Sequence, residues 1–143
     1  MPDPTDGRTL AFAPDTRGRR PNHAAMIRVE FLWFDGCPSH EPARALLDDV
    51  IAAVAPGTVV EVIDASDPAV AVAHRFPGSP TIRVDGVDID PNFVDPADYT
   101  PRCRLFRTAE GLRGVPPRAW IEDALTGARQ LTGRRSRARH GQP

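Results

Sequence analysis

Cys37 is one of two cysteines in a chain of 143 residues, and it stands in the segment "FDGCPSH", Phe34 to His40. An apolar run precedes it and a helical pattern follows, so its sulfur falls at a helix start. Free N–H groups and the positive end of the helix dipole favour an anion there, and the thiolate is the nucleophilic form of cysteine. Pro38 has no N–H to offer; Ser39 and His40 can each turn one toward the sulfur. A protonated His40 would add positive charge on the first helical turn, and Asp35 acts in the opposite sense. The competing reading makes Cys37 a small buried residue at a tight turn and His40 an exposed first-turn residue. The position between strand and helix favours the reactive reading for Cys37; for His40 both readings stand.

The second thiol, Cys103, lies in "RCRLFR". Two placements are open. If Cys103 starts a strand at the end of the sheet remote from Cys37, the two cannot meet. If the loop over 90–102 hangs at the Cys37 end, Cys103 follows it to the rim of the site. A disulfide requires Cα atoms within about 7 Å. Arg102, Arg104 and Arg107 flank this cysteine; they are read as surface arginines pairing with an acidic domain, the alternative being an anionic substrate. His23, His74 and His140 are assigned no role.

The elements that must position these groups follow from periodicity. The β-branched and aromatic run over 27–34 predicts a strand buried on both faces. A helix is predicted over 40–54, with Leu46, Leu47, Val50, Ile51 and Val54 on one face. Ser39 is its expected cap, Pro42 lies in its first turn and Pro56-Gly57 stops it. A second strand is expected over 58–64, then a short helix over 67–76 capped by Asp67, and a third strand over 80–84 opened by Ser79-Pro80. Asp85-Gly86 signals a hairpin with 87–89 as the return strand. A loop covers 90–102, an added strand 103–107, and a last helix begins near Pro117 and runs through Leu131. The order β-α-β-α-β-β-β-α implies a parallel first pair with a crossover, a hairpin, and helices on both faces of a mixed four-stranded sheet.

Composition narrows the function classes. The chain has 18 basic residues, all arginine, and 19 acidic ones. The absence of lysine excludes Schiff-base chemistry and a lysine-dependent phosphate loop. The charge is uneven: 26–125 carries sixteen acids against nine arginines, and 126–143 carries five arginines and no acid. No stretch has the apolar length of a membrane span. The first 25 residues, rich in Pro, Asp, Arg and Gly, lack a signal-type apolar segment and are expected to be disordered. Met26 opens the first patterned segment and is an alternative start. Two cysteines without an export signal suggest reduced thiols in a cytoplasm. The basic tail has no interleaved aromatics, so neither a nucleic acid nor a membrane is expected as partner.

Three stretches carry a resemblance: Asp35 to Pro38 after a strand ("DGCP"), Ser79 to Gly86 ("SPTIRVDG"), and Cys103 to Leu112 ("CRLFRTAEGL"). The chain from about 27 to 125 resembles a group of small bacterial thioredoxin-like proteins that share strand-DGCP, SPT-x-x-VDG and CR-x-[YF]-RT-x-x-GL patterns. Some of these are labelled alkylmercury lyases. The resemblance implies a thioredoxin-like fold for the domain, taken as 26–126; composition makes 1–25 a disordered extension and 127–143 a basic disordered tail. It also implies a cis Ser79-Pro80 bond beside Cys37, which leaves the Ser79 carbonyl free to pair with an extended substrate. Dithiol relatives of the fold use Cys-x-x-Cys; here His40 replaces the second cysteine.

The expected function is thiol–disulfide exchange through Cys37, either monothiol or with Cys103 resolving. Expected site residues are Cys37, Cys103, His40 and Pro80, with Pro38, Ser39 and Ser79 as substrate contacts. The expected partner is a protein disulfide or a low-molecular-weight thiol or disulfide such as glutathione. No cofactor or resident metal is expected. The alternatives are a soft-metal or organomercury function using Cys37, Cys103 and Asp35, and a binding module that keeps the fold without chemistry.

Overall fold

The computed structural model describes residues 26–141, with side chains described through Leu131. Residues 1–25, expected as a disordered extension, lie outside the described residues. Those from Ile27 to Leu131 form one compact unit.

The unit is mixed α/β. Strand β1 (Val29–Trp33) is followed by helix α1 (His40–Val54), strand β2 (Val60–Asp64), helix α2 (Pro68–Ala73), and strands β3 (Thr81–Val84) and β4 (Val87–Asp88). A separate pair, β5 (Phe106–Thr108) and β6 (Gly111–Arg113), precedes helix α3 (Arg118–Gly141). The main sheet has the order β2-β1-β3-β4. β1 runs parallel to β2 with Phe31 opposite Val62, and antiparallel to β3 with Phe31 opposite Ile82. A short antiparallel pair joins β3 to β4. Asp85 and Gly86 take φ of 52° and 82° in that turn, the left-handed values a two-residue hairpin of this hand requires.

The central strand β1 is buried on both faces, as its apolar run requires, while Val62 on the neighbouring edge strand is exposed. Val29 and Phe31 join Leu47, Val50 and Ile51 of α1 and Ile121 and Leu125 of α3 in the larger core. Leu32, on the opposite face, packs with Ile63, Ala71 and Phe76 in the smaller one. The predicted face of α1 is the buried one, with Ala43 added. Asp67 caps α2 by accepting the Ala69 N–H at 2.8 Å, and Pro68 fills the first position.

Three local expectations are corrected. Ser39 occupies the N-cap position of α1 but makes no side-chain cap hydrogen bond. Its hydroxyl instead faces Gly114, where an added Cβ would lie 2.2 Å from Ser39 Oγ. The added strand begins at Phe106 rather than Cys103 and pairs only with β6, because the turn at 109–110 returns the chain on itself. The last helix does not stop at Leu131: α3 runs to Gly141, so 127–141 is helical rather than a disordered tail. The reason is compositional: arginine, alanine and glutamine have high helix propensity, and no proline interrupts the chain until Pro143. Among the described residues, no helix is long and apolar enough to cross a membrane.

Candidate functional site

The turn between β1 and α1 is tight. The N–H groups of Gly36 and Cys37 both donate to the Phe34 carbonyl, at 3.1 and 3.2 Å. This buries Cys37 to 4% exposure beneath the start of α1. Its thiol donates to the Ser79 carbonyl at 3.4 Å, within range for sulfur. The Ser79–Pro80 bond is cis, as the resemblance implied, and Ser79 and Pro80 are both buried.

His40 is tied to the same turn, but not through the sulfur. Its Nδ1 lies 2.7 Å from the Cys37 carbonyl oxygen. A carbonyl only accepts, so Nδ1 carries the hydrogen. The ring stacks on Trp33 with centroids 4.6 Å apart. His40 therefore fixes the backbone that carries the thiol. Together with Phe31, Arg44 and Val62, the two rings line an open groove of about 380 Å³. Pro38 is exposed beside this turn.

Of the two placements open for Cys103, the structure selects the rim of the site. Residues 102–104 lie alongside Ser79 as a single parallel bridge. The Ser79 N–H donates to the Arg102 carbonyl at 2.8 Å, and the Arg104 N–H donates to the Ser79 carbonyl at 2.9 Å. This corrects the expectation of a free Ser79 carbonyl: the chain's own segment occupies that edge. Ser79 Oγ, fully buried, has no hydrogen-bond partner among the described residues.

Cys103 is exposed as a residue, yet its thiol is held above the ordinary cysteine value. Local crowding of the sulfur is the largest cause; the charge of Cys37 and a hydrogen bond to Cys37 follow. Both cysteines thus border Ser79, Cys37 through its sulfur and Cys103 through its backbone. In neutral solution Cys103 should therefore react slowly despite its exposure. Replacing Cys37 with alanine removes the last two causes. We expect the pH midpoint for iodoacetamide modification of Cys103 to fall in Cys37→Ala; an unchanged midpoint would mean that the sulfurs do not interact.

Arg104 and Gly78 hold the segment and were not singled out as anchors from the sequence. The Arg104 guanidinium meets both Asp88 carboxylate oxygens, at 2.8 and 2.9 Å, and donates to Thr81 Oγ1 at 3.0 Å. It lies over the Phe106 and Phe93 rings at 4.5 and 5.4 Å, positions that suit a cation. Gly78 has φ +136°, and a Cβ there would come within 2.9 Å of Arg104 Cβ. Arg102 donates to the Asp98 carbonyl at 2.8 Å. The loop before it is pinned by Asp95, which takes the Tyr99 hydroxyl at 2.7 Å and pairs with Arg75. The Tyr99 hydrogen bond, then the Ala97 N–H, then Arg75 hold the Asp95 carboxyl down at about 2. Arg102 and Arg104 thus pair with acids, but only Arg102 does so at the surface as read from the sequence; Arg104 is buried with its partner, because its guanidinium is drawn inward to Asp88.

Asp35 does not complete a ligand set with the thiols. Among the described residues no three His, Cys, Asp or Glu side chains gather as a metal site. The backbone N–H of Asp35 is held by Ser66 Oγ at 2.8 Å, on the β2 side of the turn. No protein-family model, curated protein or solved structure matches this chain.

Proposed function

We propose that this protein is a thioredoxin-like thiol–disulfide redox protein of the cytoplasm, with Cys37 as attacking thiol and Cys103 as resolving thiol. The observation that carries the reading is the convergence of both cysteines on Ser79, Cys37 through its sulfur at 3.4 Å and Cys103 through its backbone, from segments 66 residues apart in sequence. The sheet order β2-β1-β3-β4, with the thiol at the start of α1, agrees with the thioredoxin-like arrangement that the resemblance implies.

The chemistry proceeds in two exchanges. The Cys37 thiolate attacks one sulfur of a substrate disulfide, forming a mixed disulfide and releasing the first substrate thiolate. Cys103 gives up its proton to that thiolate or to solvent and attacks the Cys37 sulfur. The Cys37–Cys103 disulfide forms and the second substrate thiol leaves. The substrate gains two electrons, the protein loses two, and an external dithiol restores it. Cys103 thus stands in for the second cysteine of a Cys-x-x-Cys motif, a place His40 fills with a backbone tether. Substrates are disulfides of glutathione type or of proteins; nucleic acid has no part. The organomercury alternative keeps its two thiols but lacks Asp35 beside them, which favours the redox reading.

The test is oxidation of the reduced protein by glutathione disulfide, followed by acid quench and mass spectrometry. Wild type should end with an intramolecular disulfide. Cys103→Ser should accumulate glutathione on Cys37, and Cys37→Ser should take up little. Free thiols throughout in wild type would leave a binding module. Preferential trapping on Cys103 would reverse the assigned roles.

A further inference from the structure

We infer, resting on the redox reading above, that residues 102–104 make this a site for low-molecular-weight disulfides and close it to extended polypeptides. Ser79 is the backbone edge that touches the Cys37 sulfur. Both its polar backbone groups are already used, the N–H by Arg102 and the carbonyl by Arg104. An extended polypeptide that laid its disulfide against Cys37 would have to run along that edge. It would meet a strand already in place.

That strand is not loosely held. The Arg104 side chain is 9% exposed and its Asp88 partner 3%. Gly78 packs directly beneath Arg104, and Arg102 is tied to Asp98. Lifting the segment opens two backbone hydrogen bonds and strips a buried carboxylate of its partner. It also carries Cys103 away from Cys37, so a polypeptide admitted this way would lose the resolving thiol. A small dialkyl disulfide needs none of this. It has no backbone to pair and requires only that one sulfur reach Cys37 in line. Its second thiol is then displaced by Cys103 from the segment still in place, so each turnover yields two small thiols and one protein disulfide.

The experiment uses the reduced full-length chain in single turnover with two probes, bis(2-hydroxyethyl) disulfide and native insulin with its disulfides intact. Each rate is divided by the rate of dithiothreitol with the same probe, which removes the intrinsic reactivity of each disulfide. The normalised rate should be roughly 100-fold or more lower with insulin, because two backbone hydrogen bonds must open first. In Arg104→Gln, with the anchor weakened, the insulin rate should rise toward the small-disulfide rate; an unchanged ratio would overturn the anchoring by Arg104. If that variant does not fold, the wild-type ratio still decides. Equal normalised rates, or a faster reaction with insulin, would overturn the inference and leave the redox reading standing. No exchange with either probe would overturn both.

Discussion

Replacing Arg104 with alanine is expected to destabilise the fold by about 3–5 kcal/mol, the cost of leaving a buried charge without its partner. Asp88 is 3% exposed on its side chain and takes both guanidinium nitrogens. Its other acidic neighbour at this guanidinium, Asp90, lies 3.6 Å from Nη2. Truncation would leave two carboxylates close together with no cation between them, empty the space above Phe106 and release Thr81 Oγ1. The measurement is the urea midpoint with the slope held constant. A loss below about 1 kcal/mol, the range of a surface pair, would show that water replaces the guanidinium and that the segment is less anchored than its contacts imply. Arg104→Met combined with Asp88→Leu should recover much of the loss, since a buried pair can be exchanged for apolar groups at little cost. The double variant separates the penalty of an orphaned charge from the worth of the pair.

Gly78→Ala is expected to cost about 2–4 kcal/mol, combining the strain of a side chain at a positive φ with overpacking. The backbone at Gly78 has φ +136°, and the added methyl would meet Arg104 Cβ at 2.9 Å and the Cys103 carbonyl at 3.3 Å. Neither neighbour is the free end of a flexible chain: one is tied by its own ion pair and the other is main chain. Relief can come only by pushing 102–104 off Ser79. The substitution should therefore act on chemistry as well as on stability. Formation of the Cys37–Cys103 disulfide in a fixed dithiothreitol redox buffer should slow more than the first attack by Cys37 on the oxidised dithiothreitol, in which Cys103 takes no part. Both are read from one quenched time course. A stable variant with unchanged disulfide formation would mean that the segment tolerates displacement and that Gly78 does not position Cys103.

Local physics in the sequence determined a good part of this protein. The apolar run through Phe31 and Leu32 could only be a strand covered on both faces, and the spacing of Leu47, Val50 and Ile51 fixed the buried side of α1. Asp67-Pro68 and Asp85-Gly86 each act within a few residues, so their cap and turn were legible. The strand-to-helix break likewise placed Cys37 at a helix start, because what ends a strand and begins a helix is local. Ser39 shows the limit even at short range: its hydroxyl lost the cap role to the approach of Gly114, a contact across 75 positions.

Only the tertiary structure decided where Cys103 lies. Its neighbours in sequence suit a strand, and nothing within "RCRLFR" says which partner it takes. The outcome rests on contacts distant in the chain: Gly78 clearing room for Arg104, Asp88 drawing its guanidinium inward, and Asp95 and Asp98 shortening the path of the loop through Arg75, Tyr99 and Arg102. Each is weakly encoded alone, since arginines and aspartates have many possible partners on an acidic domain. The same assembly filled the Ser79 edge that the resemblance implied was open to substrate. Sequence specifies the groups and their local frames, whereas the choice among competing long-range pairings is made by burial, which becomes defined when the whole unit closes.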